Sequence, residues 1–221
     1  MTSLENRIKP LGTSTISDAL DKLGLEGGVY DINPLFPGQL ICGPAFTVRY
    51  VARGTSGGTV GDFIDDVAPG SVVVIDNQGR TDCTVWGDIM SRYAHKAGIE
   101  GTVIDGVCRD ISGIGASGLA VYSRGFTMIT GKDRVAMEQV QVPVSLSGVR
   151  VQPGDLIYGD DTGVVVIPLA HAERVVEAAE RIAEREQIIS EMVDQGVPLR
   201  EARSKAEYHA LQSAEIKPVG A

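Results

Sequence analysis

Apolar and polar positions change period several times along the chain. Residues 14–22 follow the helical period, with Thr13, Ser14 and Thr15 as candidate caps and Gly24 after the last turn. Residues 27–37 are rich in turn formers. From 40 to 52 the pattern alternates, which predicts a strand with Phe46, Val48 and Tyr50 on one face and Thr47 and Arg49 on the other. A short helical segment over 62–67 is broken by Pro69-Gly70. Ser71-Val-Val-Val-Ile-Asp76 and Gly101-Thr-Val-Ile-Asp105 do not alternate, and such continuous runs suit strands buried on both faces. A glycine-containing loop over 77–84 and a helix over 87–97, stopped by Gly98, lie between them. Strand, helix and strand in that order predict parallel pairing through a crossover. Short strands fill 119–167, and the last run, 163–168, closes the sheet region.

A long helix is predicted over 169–195, with Val175, Ala179, Ile182, Ile189 and Val193 on one stripe. A weaker helix follows over 198–211. The boundary falls near Pro168. Residues 1–168 read as an α/β body, and 169–221 as a helical arm of the same domain, too small for a core of its own.

Composition narrows the function. The 221 residues are 43% apolar and 22% charged, as a globular domain requires. Twenty Lys and Arg against 29 Asp and Glu give a net charge of −9, which opposes a nucleic-acid or anionic-membrane partner. Aromatics, at 5%, are too few for base-stacking platforms. Cys42, Cys83 and Cys108 have no zinc-type spacing, and the N-terminus lacks a signal peptide's apolar core. No apolar run is long enough to span a bilayer. The expectation is a cytoplasmic protein with reduced thiols.

Three places attract chemistry. In Val103-Ile-Asp-Gly-Val-Cys-Arg-Asp110 a buried strand delivers Arg109 and Asp110 to its carboxyl end, where open α/β sheets place ligands. Arg offers a planar fork for carboxylates, and Asp a hard oxygen for Mg²⁺ or Mn²⁺. The alternative is a surface pair capping the next helix. Second, Trp86-Gly-Asp-Ile-Met90 opens a helix whose first N–H groups form an anion cradle, with Gly87 permitting close approach and Asp88 beside it. Alternatively, Asp88 only complements the helix dipole. Both segments leave one sheet at the same end, and together they suit a small α-keto acid held with a divalent metal. Third, Glu186 interrupts the apolar stripe of the long helix, either at its margin or pointing into a polar pocket.

Other places are weaker. Gly54 to Gly61 lacks the Lys and Ser/Thr of a phosphate loop. Gly159-Asp-Asp-Thr-Gly163 reads as a tight turn. His95, His171 and His209 are far apart, no nucleophile elbow is present, and no Lys sits in a predicted strand; Lys96 and Lys132 fall near a helix end and a turn.

The ordered set Ile16-Ser-Asp-Ala-Leu20, Gly87-Asp88-Ile89-Met90, Asp105-Gly-Val-Cys-Arg-Asp110, Tyr122-Ser-Arg-Gly125, and Gly154-Asp155 with the 159–168 strand pair resembles the RraA-like family. That family includes the class II 4-hydroxy-4-methyl-2-oxoglutarate / 4-carboxy-4-hydroxy-2-oxoadipate aldolases. The resemblance spans about residues 14–168, and the helical tail is similar to the aldolase branch. It implies a compact α/β/β/α sandwich of swivelling type, a homotrimer or dimer of trimers, and a site at a subunit interface. By similarity, Arg109 binds the α-keto acid and stabilises the enolate, and Asp110 holds Mg²⁺ or Mn²⁺. Gly87 admits the substrate, whose carboxylate the N–H groups of Ile89 and Met90 hold. Asp88 holds the water that takes the alcohol proton. Glu186 is the tail acid that reaches a neighbouring subunit's site, and Asp18 matches an acid of its water network. The implied reaction cleaves a 4-hydroxy-2-oxo acid to pyruvate, with oxaloacetate decarboxylation through the same enolate. The alternative is a regulator that binds and inhibits a ribonuclease without catalysis. Such regulators resemble shorter chains that lack the metal-binding Asp. A quinone-precursor methyltransferase, a label attached to similar chains, lacks support, because no glycine-rich nucleotide motif follows the first strand.

Overall fold

A computed structural model describes residues 3–54 and 60–206. The chain opens with helices α1 (Ser3–Ile8) and α2 (Thr13–Lys22) and short strands β1 (Gly28–Val29) and β2 (Asn33–Pro34). The long strand β3 (Ile41–Ala52) follows, then β4 (Val72–Thr84), α3 (Asp88–Lys96), β5 (Gly101–Val107), α4 (Ile111–Ser117) and β6 (Ala120–Ser123). Strands β7 (Val135–Val140), β8 (Val144–Leu146), β9 (Val149–Val151), β10 (Leu156–Asp160) and β11 (Gly163–Ile167) lead to α5 (Ala172–Asp194) and α6 (Leu199–Lys205).

The expected parallel crossovers are present. β3, β4, β5 and β6 are neighbours in that order and all parallel, with α3 and α4 as connections. β3 also carries the other half of the molecule. Its first residues pair antiparallel with β10, which pairs with β11, while its second half pairs with β4 and β7. One strand thus belongs to two arms of a mixed sheet.

Alternating side chains along these strands build three cores. Val72, Val74, Val103 and Tyr122 meet Ile157, Val164 and Val166, so the two arms face one another across an apolar interior. The outer face of one arm, with Phe46, Val48, Tyr50, Val73, Ile75 and Ile104, packs Trp86, Ala94 and Ile114 from the α3 and α4 region. The outer face of the other, with Cys42, Leu156, Tyr158, Val165 and Ile167, packs α1, α2 and the first half of α5. Helix, sheet, sheet and helix layers result, the α/β/β/α order that the resemblance implied. Of the long helix's stripe, Val175, Ala179, Ile182 and Ile189 are buried, whereas Val193 is exposed. Ile189 joins Ala202 and Ala206 in a small cluster with α6. The predicted continuation of α6 to 211 lies outside the described residues. No helix among the described residues is long and apolar enough to cross a membrane.

Two sequence expectations need correction. The segment 77–84 is not a free loop but the far part of β4, which follows β5 through two register shifts, with Arg80 opposite Gly106 and Thr84 opposite Val107. Nor is α2 capped locally. Gly12 stands before Thr13 with φ 78° and offers no side chain. Asp160, at the end of β10, caps the helix instead. Its carboxylate accepts the Thr13 N–H at 2.8 Å and the Thr13 hydroxyl at 2.7 Å, and also the Thr162 N–H at 2.8 Å. Burial alone would raise the Asp160 carboxyl, but the bonds from Thr13 and Thr162 outweigh it and hold the group below the usual carboxylate range.

Asp160→Asn is therefore expected to lower stability at neutral pH by about 1–2 kcal/mol. A carboxyl depressed in the native state stabilises fully above its unfolded value and loses that contribution as pH falls through its native value. Urea unfolding of both proteins at pH 7 and at progressively lower pH checks this, with midpoints that differ at pH 7 and draw together as the pH falls through the native value.

Candidate active site

The site starts where β5 ends. Backbone bonds run on past the β4–β5 ladder: Val85 N–H donates to Val107 O at 3.4 Å, and Arg109 N–H to Trp86 O at 3.1 Å. On the other side Cys108 N–H donates to Gly125 O at 3.2 Å. Residues 107–110 are therefore held between the end of β4 and the end of β6. Trp86 is buried, so its indole needs a partner. It donates to Ser91 Oγ at 2.8 Å, and Ser91 in turn donates to Gly87 O at 3.0 Å. This buried chain fixes the first turn of α3 against Trp86.

Arg109 and Asp110 then lie beside Gly87. The Arg109 Nε is 3.2 Å from Asp110 Oδ2. A Cβ on Gly87 would stand 2.8 Å from that same oxygen, so only glycine lets the two segments approach. Gly87 brings no side chain to cap α3. The first intrahelical bond to reach it comes from Ser91 N–H at 3.1 Å, which leaves the Asp88, Ile89 and Met90 N–H groups without intrahelical partners. Asp88 faces Arg92 at 3.7 Å, a loose pair one turn along the helix.

Asp110 breaks two local rules. It stands at the N-cap position of α4, yet its carboxylate makes no capping bond. Its backbone is left-handed, φ 60° and ψ 42°, a region that aspartate enters more readily than most residues other than glycine. The helix-capping alternative for the Arg109-Asp110 pair is thereby set aside.

Gly87, Asp88, Ile89, Met90, Arg109 and Asp110 line one cleft of about 470 Å³. Thr84, Thr130 and Lys132 line it as well. These three carried no local signal, because the turn at 130–132 reaches the cleft through a long-range bridge between Thr84 and Thr130. Glu186 and Asp18 are not brought to this cleft within the chain. Glu186 is half-buried on α5, where it accepts the Thr15 hydroxyl at 3.3 Å. Asp18 lines a separate cleft of about 400 Å³ with Thr13, Ser17 and Thr162.

The remaining candidates have structural roles. In the 159–163 turn, Asp160 caps α2 and Asp161 accepts the Gly38 N–H at 2.6 Å. Cys42, Cys83 and Cys108 are free and buried. Burial pushes the Cys42 thiol up to about 12 and raises Cys108 too, which disfavours the nucleophilic thiolate. His209 and most of the 54–61 loop lie outside the described residues.

No group of three His, Cys, Asp or Glu suited to a metal occurs among the described residues. An all-protein cage is therefore not what these residues offer. One hard carboxylate uncommitted to a helix cap, next to an open cleft, fits Mg²⁺ or Mn²⁺, which keep several waters and share their shell with substrate oxygens.

Comparison with known proteins finds relatives over most of the chain. Residues 13–166 match the RraA-like family, described as Aldolase/RraA. Protein DlpA of Legionella pneumophila is 40% identical over 92% of this chain, and the match spans only 34% of that longer protein. A Halalkalibacterium halodurans protein named "Putative 4-hydroxy-4-methyl-2-oxoglutarate aldolase" is 38% identical over 79% of this chain and 81% of its own length. Among solved structures, an uncharacterized protein of Pseudomonas syringae pv. tomato superposes with a TM-score of 0.86 at 42% identity, covering 91% of this chain and 96% of that one. Streptomyces coelicolor RraAS2, described as an unusual member of the RNase ES inhibitor RraA protein family, has a TM-score of 0.79 at 26% identity over 85% of this chain and 95% of its own. With the fold and most of its length matched, the chain belongs to the RraA-like family, Aldolase/RraA.

Proposed function

We propose that the cleft cleaves a 4-hydroxy-2-oxo acid, such as 4-hydroxy-4-methyl-2-oxoglutarate, to pyruvate and a second oxo acid. The observation that carries this reading is Asp110: a carboxylate at a cap position that makes no capping bond, held 3.2 Å from Arg109 beside the open N-terminus of α3. The aldolase name of the Halalkalibacterium relative supports it.

The N–H groups of Ile89 and Met90 bind the C1 carboxylate, where the helix dipole adds positive potential. Arg109 donates to the 2-oxo end of the substrate and orients it. A magnesium or manganese ion held by Asp110 supplies Lewis-acid electron withdrawal from the 2-oxo group. Asp88 holds a water that takes the proton from the C4 hydroxyl. The O–H electrons become the new C4 carbonyl, and the C3–C4 bond pair moves onto C3, C2 and the oxo oxygen. Arg109 stabilises the negative charge that develops there, which is the main electrostatic contribution of the side chains. Protonation at C3 completes pyruvate. Oxaloacetate reaches the same enolate by loss of CO₂, so its decarboxylation is a side reaction of the same groups.

Glu186 and Asp18 enter this reading through assembly. Both lie away from their own chain's cleft, so they serve it only from another copy, in a trimer or dimer of trimers. The competing reading, a ribonuclease regulator, draws on the likeness to RraAS2. It makes no use of Asp110.

Release of pyruvate from EDTA-treated protein tests the reading. Pyruvate is expected from 4-hydroxy-4-methyl-2-oxoglutarate only after Mg²⁺ or Mn²⁺ is restored. A folded protein that releases none from this acid or from oxaloacetate favours the regulator.

Arg109→Ala is expected to lower kcat by roughly 100-fold or more without changing the melting temperature, as for loss of a transition-state charge partner. Asp110→Ala is expected to remove the metal response. Full metal-dependent turnover in that variant overturns the assignment.

Glu186→Ala is expected to lower kcat while the oligomer mass in light scattering stays the same. Wild-type kinetics would return Glu186 to a margin role on α5.

A further inference from the structure

Helix α3 opens without a capping side chain. At most helix starts the N-cap residue accepts a bond from the second or third N–H group, which uses up that donor. Gly87 holds the position in α3 and has no side chain to offer. The donors so spared are the N–H groups of Ile89 and Met90, the pair assigned above to the substrate carboxylate. A ligand gains them only if something else holds the turn.

Ser91 holds it from the other side. Its backbone N–H donates to Gly87 O at 3.1 Å, and its hydroxyl donates to the same oxygen at 3.0 Å. The hydroxyl in turn accepts the Trp86 indole N–H at 2.8 Å. Ser91 is fully buried and Trp86 is 2% exposed, so water does not compete for these bonds. Serine is disfavoured inside a helix because its hydroxyl competes for backbone groups. Here that competition falls on the one carbonyl that orients the cradle. Gly113 of α4 presses on the same turn, where a Cβ would stand 2.5 Å from Asp88 Cβ.

The consequence is directional. The peptide plane is rigid, so Gly87 C=O and Asp88 N–H point opposite ways. Two bonds on the oxygen fix that plane and turn the free N–H groups away from Ser91, on the side where Asp88, Ile89 and Met90 line the cleft. Bonds in a chain also polarise one another, so indole, hydroxyl and carbonyl together strengthen the donor at the far end of the peptide. Trp86 has a second hold. Its backbone O accepts the Arg109 N–H at 3.1 Å. One buried residue therefore registers both the cradle, through its indole, and Arg109, through its carbonyl.

We propose that Trp86 and Ser91 are positioning residues: their buried relay stands in for a helix cap, aims the α3 N–H groups at the substrate carboxylate and sets their spacing from Arg109. This rests on the 2-oxo acid reading of the cleft.

Pyruvate, in the presence of Mg²⁺, is the probe. The chain has one tryptophan, so its indole N–H gives a single resonance in a proton–nitrogen correlation spectrum. Saturation of the wild type with pyruvate is expected to shift this resonance, although the N–H faces Ser91. Ser91→Ala is expected to bind pyruvate about tenfold more weakly in calorimetry and to lose most of that shift at saturation. Ser91→Thr keeps a hydroxyl that reaches the same carbonyl, and its affinity is expected to stay within about twofold of wild type. Trp86→Phe removes the indole N–H without stranding a donor, and is expected to weaken binding about fivefold. Wild-type affinity in Ser91→Ala and Trp86→Phe, or a pyruvate-bound wild type whose indole resonance does not move, overturns the proposal. Equal losses in Ser91→Thr and Ser91→Ala overturn it too, because the hydroxyl is then not what matters. A wild type that binds no pyruvate overturns the 2-oxo acid reading itself, and this inference with it.

Discussion

Residues 72–76 pair in parallel with residues 101–105, and the contact continues beyond the regular ladder through Val85 on Val107 O and Arg109 on Trp86 O. Two stretches far apart in the chain are thereby held side by side, at the end of the sheet where both strands stop. Residues 72–75 of β4 and the whole of β5 are buried, and burial returns at Cys83 and Thr84 where β4 ends. Their exit residues are fixed to these buried segments by backbone bonds. The α3 N–H groups and the backbones of Arg109 and Asp110 are positioned by backbone bonds, and the two side chains touch each other at 3.2 Å while facing the cleft.

That dependence explains what the sequence could disclose. Buried parallel strands are continuous apolar runs, so 71–76 and 101–105 are readable without a partner in view. Once they are paired, the chemistry-bearing residues after each must converge, and six of the expected residues share one cleft. The extension of β4 was not readable, because residues 77–84 carry turn-type composition and follow β5 only through register shifts. The Asp160 cap was hidden for the same reason: its distance of 147 residues from Thr13 leaves no local spacing to detect. Lys132 stands near a glycine in a turn-rich stretch, and only the Thr84–Thr130 bridge gives that turn a place.

Glu186 shows the limit from the other side. An acid on an apolar stripe is a local anomaly that sequence detects well. The chain gives it a modest in-chain explanation, a partly buried bond from the Thr15 hydroxyl. Asp110 is the sharper anomaly, yet it was invisible as one. Nothing in Cys-Arg-Asp-Ile-Ser announces a left-handed residue that occupies a cap position and does not cap. Asp31 and Asp133 share the left-handed backbone, so what sets Asp110 apart is its combination with a cap position it does not use and a place beside Arg109 in the cleft.

The charge distribution carries the same lesson at a larger scale. A net charge of −9 argues against polyanionic partners, whose binding sums over an extended surface. It does not argue against a small anion. The cleft gathers Arg109, Lys132 and the unpaired N–H groups at the start of α3, set in walls that include Val60, Val85 and Trp86. Apolar walls lower the local dielectric, so nearby charges act more strongly than exposed ones, which water and salt screen. Asp88 and Asp110 offset part of that positive field, and a divalent cation at Asp110 would restore it. Whole-chain charge thus weighs against a class of macromolecule, while the sign that a small ligand meets is set by a handful of residues that the fold brings together.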